Sequence, residues 1–275
     1  MQLTAAVTTY TIRDSCRTEI EFAASMRKVK SIGYDHVQIS AIGDIAPDEV
    51  RKIVDGEGLS ICATHISLDD LKIDVQSVID KHNTYGCTNV AIGSAPAEYH
   101  SAEGYGRLAV EAGNFGKTLC EAGMTFSYHN HSFELEKTAG RVWLDILYEE
   151  SDARYLFAEI DTYWIQHGGG NPAAWIRKLA GRQTVVHFKD MGVFEGKPTY
   201  FEIGEGNLDW ADIIAACREA GARYCIVGRT PAIAIPSRAS KSVARICEVC
   251  WLDNPPVFGQ NKTAVIGLHH RDQMA

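Results

Sequence analysis

No run in this chain approaches the roughly 18 consecutive apolar residues a membrane-spanning helix requires. The opening MQLTAAVTTYTIRDS also lacks the basic segment and apolar core of a secretory signal. No cluster of lysine and arginine stands out, and the net charge is −8. That balance argues against a surface built to hold nucleic acid. Paired cysteine spacing is missing as well. The eight cysteines are scattered, several of them in apolar segments (Cys62, Cys120, Cys225), and read as buried thiols of a reducing cytoplasm. The one C-x-x-C, Cys247 with Cys250, has no second pair to complete a zinc site. What remains is the composition of an ordinary soluble globule, 45% hydrophobic and 23% charged.

What the chain does have is a recurrent phrase: an amphipathic stretch, a glycine, then a short apolar run. It occurs as KVKSIGYDHVQIS, VDGEGLSICATHIS, HNTYGCTNVAIGS, LCEAGMTFSYHNH, KLAGRQTVVHFKD and CREAGARYCIVG. A glycine just past a helix ends it in the left-handed conformation at little cost. The β-rich run behind it reads as a strand covered on both faces. An opening strand near Leu3–Thr9 and the run Tyr155–Asp161 bring the number of strands to eight, each followed by helical sequence. Strands alternating with helices imply parallel βαβ units, and eight of them predict a closed (β/α)8 TIM barrel. An open doubly wound sheet is the alternative, weakened because no G-x-G-x-x-G follows the first strand. One barrel domain over residues 1–252 and a loosely packed tail over 253–275 are expected.

In such a barrel the active site lies at the C-terminal ends of the strands. Strand three ends at His65, strand five at His129-Asn130-His131, strand six at Asp161, and strand seven at His187-Phe188-Lys189-Asp190. Imidazoles and carboxylates converging on one rim suit a divalent ion such as Zn²⁺ or Mn²⁺. Alternation along strand five puts His129 and His131 on one face and Tyr128 and Asn130 on the other, and favours the histidines as rim groups. Glu134, just beyond, fits three roles equally: ligand, orienter of a histidine, or solvated residue. Gly168-Gly169-Gly170-Asn171-Pro172 reads as a turn or as a loop delivering a helix N-terminus to an anion. The segment Met191–Leu208 is expected to be a long loop, functional or mobile, containing Gly204-Glu205-Gly206-Asn207. Trp164 is either core or a stacking surface for a sugar.

The phrases GYDHVQIS, YHNHSFE, EIDTYWIQHGGGNP, VVHFKD and IGEGNLDW resemble the sugar phosphate isomerase/epimerase family, xylose-isomerase-like barrels that include endonuclease IV, tagatose epimerase and inosose dehydratase. The resemblance covers residues 1–227. It implies a divalent metal, Mn or Zn with Mg or Co as alternatives, held by His129, Asp161 and His187. His129 stands where epimerase members have a glutamate, which argues against a two-glutamate epimerisation. Trp164 stands where endonuclease IV has a second histidine, which disfavours a multi-zinc DNA-repair site. The implied activity is isomerisation, epimerisation or dehydration of a sugar, keto-sugar or cyclitol by proton abstraction through an enediolate. His131 or Glu134 would move the proton, and Lys189 would bind a substrate oxygen or stabilise the enediolate. His65, Trp164 and Glu205 would be further substrate contacts. A small-molecule substrate, no nucleic acid, no membrane and a cytoplasmic location are expected, and a homo-oligomer is compatible with the pattern.

One departure stands out. Strand eight should end in a glutamate, typically within Val-Glu-Gln-Asp, but reads Val227-Gly228-Arg229-Thr230. Loss of one base from GTN-GAG-CAG-GAC gives GTN-GGC-AGG-AC, which encodes Val-Gly-Arg-Thr. The same shift turns codons for a family-like Pro-Phe-Glu-Ser-Leu-Lys into ones that can read PSRASK, residues 236–241. Two accounts follow: a frameshifted tail from Gly228, or genuine divergence. The apolar stripe Val243, Ile246, Cys247, Cys250 would still permit a replacement helix. Without the carboxylate, and with Arg229 close by, weak metal binding and little turnover are expected. A non-catalytic sugar- or partner-binding barrel is the second functional reading.

Overall fold

All six repeated glycines, Gly33, Gly58, Gly86, Gly123, Gly181 and Gly221, adopt a left-handed φ between 63° and 116°. Each turns the chain out of a helical or turn segment and into the next strand, as the phrase predicts. The computed structural model describes residues 3–228. Its eight principal strands are β1 (Thr4–Thr8), β2 (His36–Ile39), β3 (Ser60–Ile66), β4 (Asn89–Ile92), β5 (Thr125–His129), β6 (Phe157–Glu159), β7 (Val185–Phe188) and β8 (Tyr224–Val227). All pair in parallel, in the order β6-β5-β4-β3-β2-β1-β8-β7. The two edges meet through an isolated bridge between Asp161 and His187, supported by a 2.8 Å bond from the His187 N–H to the Ile160 carbonyl. The sheet is therefore a nearly closed barrel.

Among the described residues eight α-helices wrap it: α1 (Glu19–Ile32), α2 (Pro47–Gly56), α3 (Leu68–Tyr85), α4 (Ala102–Glu121), α5 (Trp143–Glu150), α6 (Thr162–His167), α7 (Pro172–Lys178) and α8 (Trp210–Ala220). Thr18 and Ser67 start α1 and α3 with reciprocal capping boxes to Glu21 and Asp70. The largest core cluster lies between strands and helices and includes Phe126, Leu144, Ile160, Phe188 and Ile214. A small separate cluster joins Ala6, Cys62, Ala63, Val185 and Ile226. These come from strands that are not all neighbours in the sheet, so they meet across the barrel interior, which is filled by side chains and is not a pore.

Several expectations need correction or fall outside the described residues. The segment after β7 is not one long loop. Asp190–Phe194 and Lys197–Phe201 pair antiparallel as a hairpin, turning at Glu195-Gly196 with φ of 50° and 75°, which is the two-residue geometry that fits strand twist. A second small hairpin pairs Lys137–Thr138 with Arg141–Val142. Asn171 caps α7 by accepting from the Ala174 N–H at 2.9 Å, so the glycine-rich stretch acts as a turn between α6 and α7. Cys120 is exposed on α4 rather than buried, while Cys62 and Cys225 are buried. Among the described residues no helix is long and apolar enough to cross a membrane. Arg229, the Val243–Cys250 stripe, the C-x-x-C, and the expected boundary between residues 252 and 253 lie outside the described residues.

The chain beyond the hairpin is held by one carboxylate. Asp190, fully buried, accepts from the N–H groups of Met191 (2.8 Å), Gly204 (2.8 Å), Gly206 (3.1 Å) and Leu208 (3.4 Å), and from the Trp210 indole (2.7 Å). A side chain at Gly206 would run into that carboxylate and the Met191 carbonyl. Asp190→Asn presents an amide NH₂ to groups that can only donate, and is expected to cost about 2–4 kcal/mol in urea unfolding.

Candidate active site

Strand register brings the polar strand ends together. His129 lies opposite Glu159 between β5 and β6, and Asp161 lies opposite His187 at the closing bridge. Because side chains alternate, Glu159 and Asp161 point the same way. Both carboxylates are buried, as are His129 and His187.

Asp161 is fixed from three directions. Asn130 Oδ1 accepts from its N–H at 3.0 Å, and its own Oδ1 accepts from the Trp164 N–H at 3.1 Å, capping α6. Its other oxygen, Oδ2, lies 2.7 Å from Lys189 Nζ, 3.2 Å from His129 Nε2 and 3.9 Å from His187 Nδ1. Burial alone would raise the Asp161 carboxyl. The Lys189 ammonium beside it instead holds it well below the usual carboxylate range.

Glu159 serves a second cluster. Its Oε1 accepts from Gln38 Nε2 at 2.8 Å and from His65 Nε2 at 2.7 Å, and lies 2.7 Å from His187 Nε2. Burial pushes this carboxyl up, but the imidazoles of His65 and His187 beside it leave it well below its ordinary value. Ser40 Oγ lies 3.2 Å from the other ring nitrogen of His65.

Burial moves the rim histidines the other way. His129 falls to about 4 and His131 to about 3, and His187 is lowered as well. They are neutral at pH 7, which is the form that binds metals. His129 Nδ1 lies 3.1 Å from the Gly93 carbonyl and Nε2 3.2 Å from Asp161 Oδ2; both oxygens can only accept, so a neutral ring donates to one of them and turns a lone pair to the other. With the proton on Nδ1, Nε2 is the nitrogen left to ligate a cation. His187 Nδ1 is buried without a hydrogen-bond partner, and Nε2 approaches Glu159 without hydrogen-bond alignment. His129, Asp161 and His187 therefore offer three Lewis bases within 4.8 Å of one another. Neutral imidazoles plus a carboxylate fit a divalent cation. His65, Glu159 and His187 form a second grouping of that size, but its Oε1 already accepts two N–H bonds.

Above this floor opens a cavity of about 320 Å³. His65, His129, His131, Trp164, His187 and Lys189 line it, together with Thr8, Tyr10, Ser40, Ala41, Gly93 and Ser94. Ala41 holds a left-handed φ of 54° there, a strained conformation for a residue other than glycine. His131 packs against Phe133 and Trp164, with centroids 5.6 and 5.1 Å away, and its Nδ1 is buried without a hydrogen-bond partner.

Two expected site residues lie elsewhere. Glu134 is fully buried behind β5, accepting from the Tyr128 hydroxyl at 2.8 Å and the His131 N–H at 2.9 Å, and does not line the cavity. Glu205 is exposed beyond the hairpin and does not line it either. The sequence reading passed over Glu159, Gln38 and Ser40. Period-two spacing of Glu159 from Asp161 was the available signal.

The fold matches known structures. A sugar phosphate isomerase/epimerase from Parabacteroides distasonis superposes with a TM-score of 0.74 at 18% identity, covering 90% of this chain and 94% of that one. A xylose isomerase domain protein from Alicyclobacillus acidocaldarius gives 0.63 at 14%, covering 91% and 96%. An AP endonuclease, family 2, from Brucella melitensis gives 0.65 at 12%, covering 89% and 97%. No protein-family model and no curated protein sequence matches the chain. The architecture is that of the xylose-isomerase-like TIM barrels.

Burial raises the Glu134 carboxyl from 4.5 to about 7. Between those values the folded state holds a proton the unfolded chain has released, so stability falls as pH rises from about 4.5 to about 7. Glu134→Gln keeps the shape without the titration. Denaturation midpoints measured across that window should show a flatter pH dependence in the variant.

Proposed function

We propose that the chain is a metal-assisted isomerase, epimerase or dehydratase of a sugar, keto-sugar or cyclitol, acting by proton abstraction next to a carbonyl. One observation carries this reading: His129, Asp161 and His187 bring three potential ligand atoms within 4.8 Å of one another at the floor of a sugar-sized cavity. The neighbours that share the fold include a protein described as a sugar phosphate isomerase/epimerase.

A divalent ion held by these three groups would supply Lewis acidity toward a carbonyl or paired hydroxyl oxygens, Mn²⁺ or Zn²⁺ suiting the donors best. The chain's own residues do the rest. Glu159 orients His65 from behind, as carboxylates do for metal-site imidazoles, and lies beside His187. Trp164 offers an aromatic wall for the apolar face of a sugar ring. Lys189 meets a substrate oxygen as negative charge develops on it. His131, on the wall with its buried Nδ1 unpaired, takes up the substrate proton and returns it. Its lowered affinity for protons favours rapid return. Glu134 fixes the His131 backbone from behind.

A second reading has its own support. Gly228 brings no side chain to the end of β8, and Lys189 already neutralises Asp161, so a sugar-binding barrel without chemistry fits too. A panel of ketoses and keto-sugars incubated in D₂O with the Zn²⁺- or Mn²⁺-loaded protein separates the two. Catalysis predicts uptake of one carbon-bound deuterium by mass spectrometry, falling about 100-fold or more in Asp161→Asn and in His187→Gln. Saturable quenching of Trp164 fluorescence by a sugar that never exchanges its proton would select the binding module.

A further inference from the structure

The end of β8 and the end of β7 compete for one space. Val227 pairs with Phe188, and the Gly228 N–H donates to the Phe188 carbonyl at 3.3 Å. A Cβ on Gly228 would lie 2.8 Å from Lys189 Cε, 3.3 Å from Thr8 Cγ2 and 3.6 Å from Lys189 Cγ. The lysine stem therefore fills the room that any side chain at position 228 would need. Its ammonium ends 2.7 Å from Asp161 Oδ2, the oxygen that also faces His129 Nε2 and His187 Nδ1. Lys189 is only 8% exposed, and Asp161 is its buried counter-ion. A second cation on the same oxygen would sit within a few ångströms of the ammonium, where repulsion is weakly screened.

We infer that Lys189 is the resident cation of this site, and that a divalent ion binds only by displacing its ammonium from Asp161. Gly228 is the residue that lets the lysine lie there. The inference rests on the proposed cation site at His129, Asp161 and His187. Displacement gives the lysine a second use: freed from Asp161, its Nζ can turn toward a substrate oxygen in the cavity it already lines. Ion loading and presentation of Lys189 are then one event. Metal affinity in this chain is set by the strength of an internal ion pair as well as by its ligands.

Calorimetric titration of the full chain with Zn²⁺ tests this without any substrate. Lys189→Met keeps the stem and removes the charge, and should bind Zn²⁺ at least about tenfold tighter than the parent. Gly228→Ala, where no left-handed φ penalises alanine, crowds the stem off its seat and should also tighten binding. Equal affinity in the parent and Lys189→Met overturns the displacement while leaving the cation site intact. Absence of binding in both overturns the cation site itself. Should Lys189→Met fail to fold, the parent chain still decides: acetylation of Lys189 by acetic anhydride, read on the digested peptide, should accelerate under saturating Zn²⁺. An unchanged or slower rate overturns the inference.

Discussion

The site depends on the Asp161 carboxylate more than on any other group. It caps α6 through one oxygen and faces His129, His187 and Lys189 through the other, while its residue forms the bridge that closes the barrel onto His187. Closure and chemistry are thereby the same constraint. If the bridge slipped by one residue, the alternation of side chains would turn Asp161 away from the mouth and bring a hydrophobic neighbour in. A fully buried carboxylate survives there only because each oxygen has a partner.

Much of the fold was legible because its signals are local. A glycine after an amphipathic run terminates a helix whatever surrounds it, and all six such glycines take the left-handed conformation. His65, His129, Asp161, His187 and Lys189 were readable as strand-end residues because barrel topology fixes where strand ends go. Other features depend on contacts that sequence order does not display. Glu159 sits inside the apolar run LFAEI, where a lone acid looks like an exposed edge residue. Its burial follows from Gln38 and His65, which are distant in the chain and adjacent in space. Glu134 illustrates the reverse. Its place in YHNHSFE suggests the rim, yet the 3₁₀ turn Phe133–Leu135 carries it behind the strand to Tyr128. The hairpin after β7 escaped notice because Glu195-Gly196 is a less familiar turn pair than Asn-Gly.

The two buried carboxylates divide the labour by the nature of their partners. Glu159 is met by nitrogen groups that donate, so it acts as a fixed acceptor that sets ring orientation. Asp161 meets His129 Nε2, the unpaired Nδ1 of His187 and the ammonium at the end of a flexible lysine stem. Only the second environment is adjustable, since a lysine side chain can move without disturbing the barrel and a hydrogen-bonded strand cannot. The chain thus separates rigid positioning from exchangeable charge within a span of three residues.

Charge balance gives this separation a direction. Among the described residues at the cavity floor, two carboxylates face one lysine, and His129, His131 and His187 are held neutral by burial. The floor therefore carries an excess of negative charge in a low-dielectric setting, even with the Lys189–Asp161 pair formed. Such an excess is costly unless something positive answers it. Lysine alone halves the charge without removing it. On the proposed reading, a divalent ion at Asp161, with the freed ammonium kept near the cavity mouth, would reverse the sign and favour oxygen-rich, electron-donating ligands. That reversal would be the electrostatic condition a sugar carbonyl needs when an adjacent proton leaves.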